Sequence, residues 1–263
     1  MLIAHISDTH ITSPGNKTYG VAPMAENLAR CVEHISQMVP RPDVVFHSGD
    51  VTNAGTAAEV RHAVALLEKL DCPVFMVPGN HDNGRVLSDE CGSTICPMGD
   101  YVVDDFPLRL IGMDSTDPGK PGGKITTAQA GWLETQLSSE PEKPTLIFMH
   151  HPPVKCGVRE SDRDGFVGAD LLGEVVGKYN NIERILCGHI HLLIHARWQG
   201  TVVTTAPSTG MQLGLDLTME KEPAFSLTEP GYLLHDWTQQ QQLITHTVSL
   251  ARGEGPYLFE EQG

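Results

Sequence analysis

The sequence predicts an α/β fold in which short buried strands alternate with amphipathic helices. Five short apolar runs are rich in β-branched side chains, which is typical of buried strands. They cover residues 2–6, 44–46, 74–77, 146–149 and 185–187. Segments with apolar residues at helical spacing lie between these runs, and this alternation favours a largely parallel sheet.

Four segments carry the helical spacing. They cover residues 28–39, 60–67, 126–137 and 171–179. The second and third helices are expected to open with capping boxes, Thr56 with Glu59 and Thr126 with Gln129, which satisfy free backbone donors at a helix start.

The remaining segments are expected to be strands or loop. Residues 101–114, 231–237 and 243–250 have the pattern of antiparallel strands added to the sheet. Residues 210–230 lack clear periodicity and are expected to form a long loop. Such loops are often functional or form contact surfaces.

The charge balance disfavours binding to a polyanion. The 263 residues include 18 Lys and Arg against 33 Asp and Glu, a formal net charge of −15 at pH 7. Such a charge repels nucleic acid overall, so no nucleic-acid polymer is expected as a partner. No apolar stretch approaches the roughly 20 residues that span a bilayer, and the N-terminus has the pattern of a strand. We therefore expect a soluble cytoplasmic protein with no membrane partner.

The cysteines indicate a reducing compartment. The six cysteines show no Cys-x-x-Cys spacing, which is typical of buried or loop thiols. None is part of a metal-ligand pattern, so a thiolate zinc site is not predicted. A disulfide between Cys91 and Cys96 is the alternative that stays open.

Five short polar motifs lie at or just beyond the ends of the five apolar runs. Ligands bind at the carboxyl ends of strands in open α/β sheets, so these motifs are expected to meet in one crevice. They are Asp8-Thr9-His10, Gly49-Asp50, Gly79-Asn80-His81-Asp82, His150-His151-Pro152-Pro153 and Gly188-His189-Ile190-His191.

The residue types in these motifs are those of a two-metal site. In an extended segment residues i and i+2 point to the same side, so Asp8 with His10, and His189 with His191, are expected to reach a common centre. Mixed carboxylate and imidazole ligands suit Mn, Fe, Zn or Co. Asp50 follows a glycine at a strand end, where a carboxylate can bridge two ions roughly 3.5–4 Å apart.

The charge of these ligands narrows the substrate class. Asn80 offers a neutral amide oxygen and adds no charge. Two divalent ions bring four positive charges, of which Asp8 and Asp50 offset two and a bridging hydroxide offsets one. The single positive charge that is left matches a phosphodiester monoanion.

The motifs resemble those of calcineurin-like metallophosphoesterases. Within that superfamily the chain is most similar to bacterial glycerophosphodiesterases and class III cyclic nucleotide phosphodiesterases. The similarity runs from His5-Ile6-Ser7-Asp8-Thr9-His10 through Phe148-Met149-His150-His151-Pro152-Pro153 to Gly255-Pro256-Tyr257-Leu258. It covers nearly the whole chain and implies a four-layer αββα sandwich of two mixed β-sheets flanked by helices.

The resemblance also implies which residues hold two divalent ions. One ion would be held by Asp8, His10, Asp50 and His191, and the other by Asp50, Asn80, His150 and His189. His151 would be a neighbour of this site, and Asp82 would orient a ligand or His81. His5 and His47 closely precede ligands, so they are the histidines outside the motifs that are best suited to support them.

The implied reaction is hydrolysis of a small phosphodiester, either a glycerophosphodiester or a cyclic nucleotide. A metal-bound hydroxide would attack phosphorus in line with the leaving alkoxide. His81 would donate a hydrogen bond to a phosphoryl oxygen or a proton to the leaving group. Asp50, Asn80 and His81 are thus the expected catalytic residues.

Other functions stay open as alternatives. Phosphoprotein phosphatases of the superfamily usually carry an arginine after Gly-Asp and a glutamate after Gly-Asn-His. This chain has Val51-Thr52-Asn53 and Asp82 at those places. A monoester dianion benefits from the extra positive charge, so a phosphomonoesterase ranks second and a DNA nuclease lower. A non-catalytic interaction scaffold is the alternative outside the enzymes, although every ligand position is filled.

The resemblance divides the chain into a catalytic core, residues 1–207, and a C-terminal region, residues 208–263, that completes it. In glycerophosphodiesterase relatives this region supports oligomers and caps neighbouring sites, so a homodimer or larger homo-oligomer is expected. Choice among diesters is expected to rest on residues 13–22, 154–166 and 208–230. In these loops or near them, Tyr19 would line the pocket and Arg85 would contact a phosphate oxygen, with ordinary structural roles as the alternative.

Overall fold

Strands and helices alternate through most of the chain, which ends in strands. The computed structural model describes residues 1–92, 99–251, 253–255 and 257. The helices are α1 (Met24–Gln37), α2 (Ala57–Leu67), α3 (Gly84–Cys91), α4 (Thr127–Ser139), α5 (Arg159–Asp164) and α6 (Ala169–Val176). The strands are β1 (Leu2–Ile6), β2 (Val44–His47), β3 (Val74–Met76), β4 (Tyr101–Val103), β5 (Arg109–Gly112), β6 (Thr116–Asp117), β7 (Lys120–Lys124), β8 (Thr145–Phe148), β9 (Phe166–Val167), β10 (Ile182–Cys187), β11 (Ile194–Trp198), β12 (Thr201–Thr205), β13 (Met211–Leu213), β14 (Phe225–Leu227), β15 (Gly231–Trp237) and β16 (Leu243–Ser249).

The first sheet joins the N-terminal strands to the C-terminal hairpin in the order β16-β15-β1-β2-β3. Strands β1, β2 and β3 are parallel, whereas β15 runs antiparallel to both β1 and β16. Ile6 lies opposite His47, and His47 lies opposite Met76. The loops that follow β1, β2 and β3 therefore leave the sheet at the same edge.

The second sheet has the order β11-β12-β10-β8-β5-β4. Its four inner strands are parallel, and the edge strands β4 and β11 are antiparallel to their neighbours. Phe148 lies opposite Leu186, so the loops after β8 and β10 also leave side by side. Both sheets are mixed, as the resemblance implied.

Three apolar layers hold these sheets between helices. Residues such as Phe46 and Phe148 fill the space between the sheets, with their rings stacked at 4.2 Å and 17°. Such a ring pair contributes roughly 0.5–1.5 kcal/mol beyond its burial. Helices α1 and α2 pack on the outer face of the first sheet, and α4 and α6 on that of the second. This order is the αββα sandwich, and the fold prediction is confirmed.

The predicted helix starts are confirmed, whereas some predicted helix ends are wrong. Both capping boxes are present at the starts of α2 and α4. Helix α1 ends at Gln37, and Val39 is 92% exposed, so the extension of this helix to Val39 is wrong. The residue before a proline is disfavoured in a helix, and Pro40 follows Val39. Likewise α6 ends before Tyr179, and α3 and α5 were not predicted.

The expected loop at residues 210–230 contains a hairpin. Strands β13 and β14 pair antiparallel as a separate two-stranded sheet, with Met211 opposite Leu227. Each strand has only three residues, which is too short for a period to be visible.

Two sequence predictions fall on residues that the structure does not describe. They are the disulfide between Cys91 and Cys96, since Cys96 lies outside the described residues, and the tail residues Pro256 and Leu258. Within the described part of the chain, no helix has both the length and the apolar character needed to cross a bilayer.

Candidate metal centre

Five loops at the ends of β1, β2, β3, β8 and β10 bring the polar motifs together. The backbone N–H of Asp8 donates to Gly49 O at 3.0 Å, and that of His10 donates to Asp50 O at 2.9 Å. The backbone N–H of Gly188 donates to His150 O at 2.9 Å, which joins the loops of the second sheet. These backbone hydrogen bonds fix the loops relative to one another independently of their side chains.

The backbone of this centre is unusual at five positions. A positive φ is found at Asp8 (52°), His10 (42°), Asp50 (51°), His189 (71°) and His191 (52°). Side chains rarely adopt this left-handed region, and each such residue costs on the order of 1–3 kcal/mol, which surrounding structure must offset. The extended geometry expected for these motifs is therefore wrong, although the paired side chains do converge.

One group of predicted ligands gathers around Asp8. His191 Nε2 lies 3.4 Å from Asp8 Oδ1 and 3.0 Å from His10 Nε2. His10 Nε2 in turn lies 3.6 Å from Asp50 Oδ2. All four side chains are at most 7% exposed.

A second group gathers on the other side of Asp50. His150 Nε2 lies 3.3 Å from Asp50 Oδ2 and 3.2 Å from Asn80 Oδ1. His189 Nδ1 lies 3.1 Å from the same Asn80 oxygen. Asp50 thus stands between the two groups, where a bridging carboxylate is expected.

Carbonyl partners fix the ring tautomers. His150 Nδ1 donates to Ser48 O at 2.8 Å, and His191 Nδ1 donates to Met211 O at 2.6 Å. A carbonyl oxygen only accepts, so the proton of each neutral ring is on Nδ1 and the lone pair is on Nε2. The Nε2 atoms of His150 and His191 lie 3.2–3.4 Å from carboxylate and amide oxygens. Such a crowd of electron-pair donors fits bound cations.

The protonation of His150 in the metal-free protein supports this conclusion. Burial lowers the pKa of His150, but Asp50, Asp8 and the Ser48 carbonyl together outweigh burial and raise it to about 9. Burial raises the pKa of Asp50, but the charge of His150 holds it well below its usual value. In the metal-free protein His150 Nε2 therefore also carries a proton, and a bound cation would take the place of that proton. At His10 and His189 burial keeps the pKa well below its usual value, so both rings are neutral, as metal ligands must be.

His151 lies beside this centre and is engaged elsewhere. A nitrogen of His151 lies within 4.8 Å of one from His150 and one from His189. However, its Nδ1 is bonded to Ser115 Oγ at 2.9 Å, and its Nε2 is bonded to Pro121 O at 3.1 Å. This arrangement agrees with a neighbouring role.

Asp82 ties two loops together and does not meet the His81 ring. Its carboxylate accepts hydrogen bonds from the backbone N–H groups of Val51, Thr52 and Gly79 at 2.8–3.0 Å. The Thr52 hydroxyl also donates to Asp82 Oδ1 at 2.6 Å, and among the described contacts of this carboxylate none is with the His81 ring. The His81 Nδ1 instead donates to the carbonyl of Asn53 at 2.9 Å.

His47 supports the loop of Asp8. Thr9 Oγ1 donates to Val51 O at 2.9 Å, so it accepts from His47 Nε2, also at 2.9 Å. The backbone N–H of Gly49 donates to His47 Nδ1 at 3.3 Å. The ring therefore links the loops after β1 and β2, in keeping with its predicted supporting place.

A cavity of about 450 Å³ opens above the centre. All three segments expected to choose among diesters contribute to it, and Tyr19 packs against Phe225 at 5.6 Å between ring centroids. The lining residues outside the motifs are Tyr19, Pro121, Ser161, Asp164, Met211, Leu213, Pro223, Ala224 and Phe225. Pro121 was missed, because it belongs to the short strand β7 and carries no motif.

A second cavity of about 650 Å³ lies on the other side of His81. It shares Asn80, His81 and Pro121 with the first cavity. Arg85 and Lys120 line it, and the Arg85 side chain is 82% exposed. Arg85 therefore lies at the rim of this cavity and not among the predicted metal ligands.

Comparison with known proteins identifies the family. A model of the calcineurin-like phosphoesterase family matches residues 1–193. This chain is a calcineurin-like phosphoesterase. Members of this family use a dinuclear divalent metal centre, and the converging side chains described above fit one.

Relatives cover nearly the whole of this calcineurin-like phosphoesterase. The probable glycerophosphodiester phosphodiesterase of Arcobacter nitrofigilis is 36% identical over 98% of this chain and 97% of its own length. The glycerophosphodiester phosphodiesterase of Enterobacter lignolyticus is 34% identical over 99% of this chain and 95% of its own. The 3',5'-cyclic adenosine monophosphate phosphodiesterase of Escherichia coli K12 is 27% identical over 80% of this chain and 76% of its own.

Among solved structures, a dimetal phosphatase from Danio rerio superposes with a TM-score of 0.66. The match covers 95% of this chain and 99% of that one, at 14% sequence identity. At that identity the likeness supports the fold alone.

Proposed function

We propose that this calcineurin-like phosphoesterase is a dinuclear-metal phosphodiesterase that hydrolyses small phosphodiesters. The observation that carries the proposal is the pair of cavities that meet at Asn80, His81 and Pro121 beside the centre. A linear phosphodiester joins two separate alcohols to one phosphorus, so each of the two cavities can take one alcohol. A phosphomonoester would leave one of them empty.

The charges that line the first cavity agree with a diester. Among the described residues that line it, none is Lys or Arg. A monoester dianion would gain from a further positive charge beside the ions, whereas a diester monoanion matches the charge that the ligands leave. The second cavity is lined by one lysine and one arginine, Lys120 and Arg85. Lys120 pairs with Asp117 at 2.8 Å.

The proposed ligand sets are those given by the resemblance. Asp8, His10, Asp50 and His191 would hold one divalent ion, and Asp50, Asn80, His150 and His189 the other. Mn, Fe, Zn or Co suit such donors. Two bound ions would lower the pKa of water towards neutrality and polarise the phosphoryl oxygens.

The chain itself would position the substrate and move a proton. His81 lines both cavities, and its Nδ1 is bound to Asn53 O, which leaves Nε2 for the substrate. A proton taken up at Nε2 can be donated to the oxygen of the leaving alcohol, or it can bind a phosphoryl oxygen. The amide of Asn80 lies next to it, where the two cavities join.

Two substrate classes follow from the relatives. Glycerophosphodiesters are the first choice, because the relatives that match nearly the full length are named for them. Cyclic nucleotides are the second, since the aromatic pair of Tyr19 and Phe225 offers a surface on which a base can stack. We further propose that residues 1–207 form the catalytic core and that residues 208–263 complete it and support a homodimer or larger homo-oligomer.

The test is hydrolysis of bis(p-nitrophenyl) phosphate against p-nitrophenyl phosphate by Mn²⁺-loaded protein, with metal content measured in the same samples. We expect a strong diester preference that is abolished in Asp50→Ala. A monoester preference would replace the proposal with a phosphatase. Bound metal without activity on either ester, or on a panel of glycerophosphodiesters and cyclic nucleotides, would favour a scaffold.

A further inference from the structure

A buried row of polar groups runs between the two sheets and reaches the metal centre. His5, His235, Ser48 and Ser7 are all 0% exposed. His235 lies directly opposite Thr245 on β16, and His5 lies on the neighbouring strand β1. The function proposed above gives these groups no role.

The two ends of this row give it a direction. At one end Arg184 Nη1 donates to Thr245 Oγ1. At the other end the Ser7 hydroxyl donates to the Asp8 carboxylate. A guanidinium only donates and an ionised carboxylate only accepts, so these ends suit a chain in which each group donates towards Asp8.

The bonds between these ends can be followed one at a time from Asp8. Ser48 Oγ donates to Ser7 Oγ at 2.7 Å, so Ser48 accepts from His5 Nε2 at 2.8 Å. His5 Nδ1 is then the acceptor for His235 Nε2 at 3.3 Å. His235 Nδ1 in turn accepts from Thr245 Oγ1 at 2.8 Å.

Both imidazoles are neutral, as this pattern requires. Burial lowers the pKa of His5 to about 3 and that of His235 well below its usual value. A neutral ring has one N–H and one lone pair, so each ring donates once and accepts once. The buried hydrogen-bond chain is defined here as Arg184, Thr245, His235, His5, Ser48 and Ser7.

We propose that Arg184 and Thr245 are positioning residues for Asp8 and act on it through the buried hydrogen-bond chain. Aligned hydrogen bonds polarise one another, so the positive end of each dipole points along the chain towards the carboxylate. The Asp8 carboxylate otherwise accepts the backbone N–H of His189, at 3.1 Å from each oxygen. The inference rests on the proposed function only in taking Asp8 as a metal ligand.

The first test needs neither metal nor substrate. Nitrogen-15 NMR of the metal-free protein reports which ring nitrogen of each histidine carries the proton. We expect both His5 and His235 to carry it on Nε2, with no protonation of either ring down to pH 5. An Nδ1–H tautomer at either ring would reverse the chain and overturn the inference.

The second test compares Thr245→Val with Thr245→Ser. Valine has the same shape but no hydroxyl, whereas serine keeps the hydroxyl, and Thr245 lies on the edge strand β16, where neither change removes core packing. Loss of a group that directly contacts a ligand costs about 10–100-fold in metal affinity, which we expect for Ser7→Ala. Thr245→Val should weaken Mn²⁺ binding by less, roughly two- to tenfold, because each further bond passes on only part of the polarisation.

The readouts are the Mn²⁺ dissociation constant from titration calorimetry and the His235 ring nitrogen shifts. Thr245→Ser should match the wild type in both, and Arg184→Met should move both in the same sense as Thr245→Val. Wild-type Mn²⁺ affinity in a folded Thr245→Val protein would refute the role of the distant residues. If the enzyme hydrolyses no diester while these affinities change as expected, the proposed function fails and the positioning role stands.

Discussion

The metal centre and the rim of the cavity above it are built in opposite ways. In the centre the side chains of Asp50 and His150 are at most 3% exposed, and the ligand loops are joined by backbone hydrogen bonds. At the rim Tyr19, which lines this cavity, is 55% exposed. The difference indicates that the site of chemistry is rigid, whereas the groups that meet the alcohols can change without disturbing it.

One side chain does much to hold the rim together. Arg159 of α5 donates from Nη1 to Glu220 O at 3.1 Å and to Lys221 O at 2.8 Å. It thereby joins α5 to the loop before β14, and both segments line the first cavity. Its ion pair with Glu222 at 3.2 Å adds little, because the glutamate is 89% exposed and such pairs are worth roughly 0–1 kcal/mol.

The largest expected effect is that of Asp50→Ala on the centre. Asp50 lies between both ligand groups, so its removal should lower the content of both ions and reduce activity more than any other change discussed here. It should also free His150 from its charged partner, so that the ring pKa falls from about 9 towards or below the ordinary value. Elemental analysis and NMR titration of His150 measure these two effects. Full metal occupancy in Asp50→Ala would contradict the bridging place.

The next largest effect is expected for His81→Ala. Loss of a proton donor typically costs about 10²–10⁴ in rate, and His81 lines both cavities. Turnover should fall while both ions stay bound, because His81 is not among the proposed ligands. Kinetics and metal content of the same sample separate these outcomes. A loss of metal equal to the loss of activity would make His81 a ligand.

The third expected effect is a stability maximum of the metal-free protein near pH 6.5. Burial lowers the pKa of His5, His47 and His151 to about 3, whereas the unfolded value is 6.5. The unfolded chain thus binds more protons as pH falls from 6.5 towards 3, and stability is lost by up to about 1.4 kcal/mol per pH unit for each histidine. His150, with its pKa raised to about 9, adds stability below 6.5 that is lost as pH rises through 9.

Urea unfolding from pH 4 to 10 measures how stability depends on pH. The same measurement on Mn²⁺-loaded protein tests the part that His150 contributes. A bound cation replaces the His150 proton, so the decline above pH 6.5 should vanish in the loaded protein while the acid decline stays. His34→Ala is the matched control, because this exposed ring lies on α1, outside the centre. A metal-free protein that gains stability steadily from pH 6.5 to 9 would contradict the Asp50–His150 pair.

The difference between the metal centre and the rim also explains which features could be predicted from the sequence. The strands that carry the ligands are local runs of apolar residues, and the motifs follow them directly, so their convergence is predictable. The left-handed backbone at Asp8 and Asp50 is not, because no glycine marks it and the neighbouring loops impose it. The role of His235 was also out of reach, since it depends on a register between β1 and β15 that joins residues from the two ends of the chain.

The rim could be predicted only as a set of segments. The sequence indicates which loops surround the site, but hairpin β13–β14 and helix α5 are too short to have a visible period. Pro121 lines the cavity because β7 pairs with β6 and β9, and no local sequence pattern predicts this pairing. Predictions about substrate choice therefore depend on the structure more than those about metal binding do.

The smallest expected effect is that of Phe225→Ala, and it tests whether rim and centre are separable. Phe225 lines the first cavity and packs against Tyr19, whereas Leu227 on the same strand is 50% exposed and does not line it. Aromatic pairs contribute roughly 0.5–1.5 kcal/mol, which corresponds to about two- to tenfold in kcat/KM. Phe225→Ala should lower kcat/KM by that factor for a diester with aromatic alcohols and by less for a glycerol diester. Leu227→Ala should change neither, and Mn²⁺ content should be that of the wild type in both variants. A Phe225→Ala protein that loses metal would show that the hairpin also holds the centre, through the contact of His191 with Met211 O.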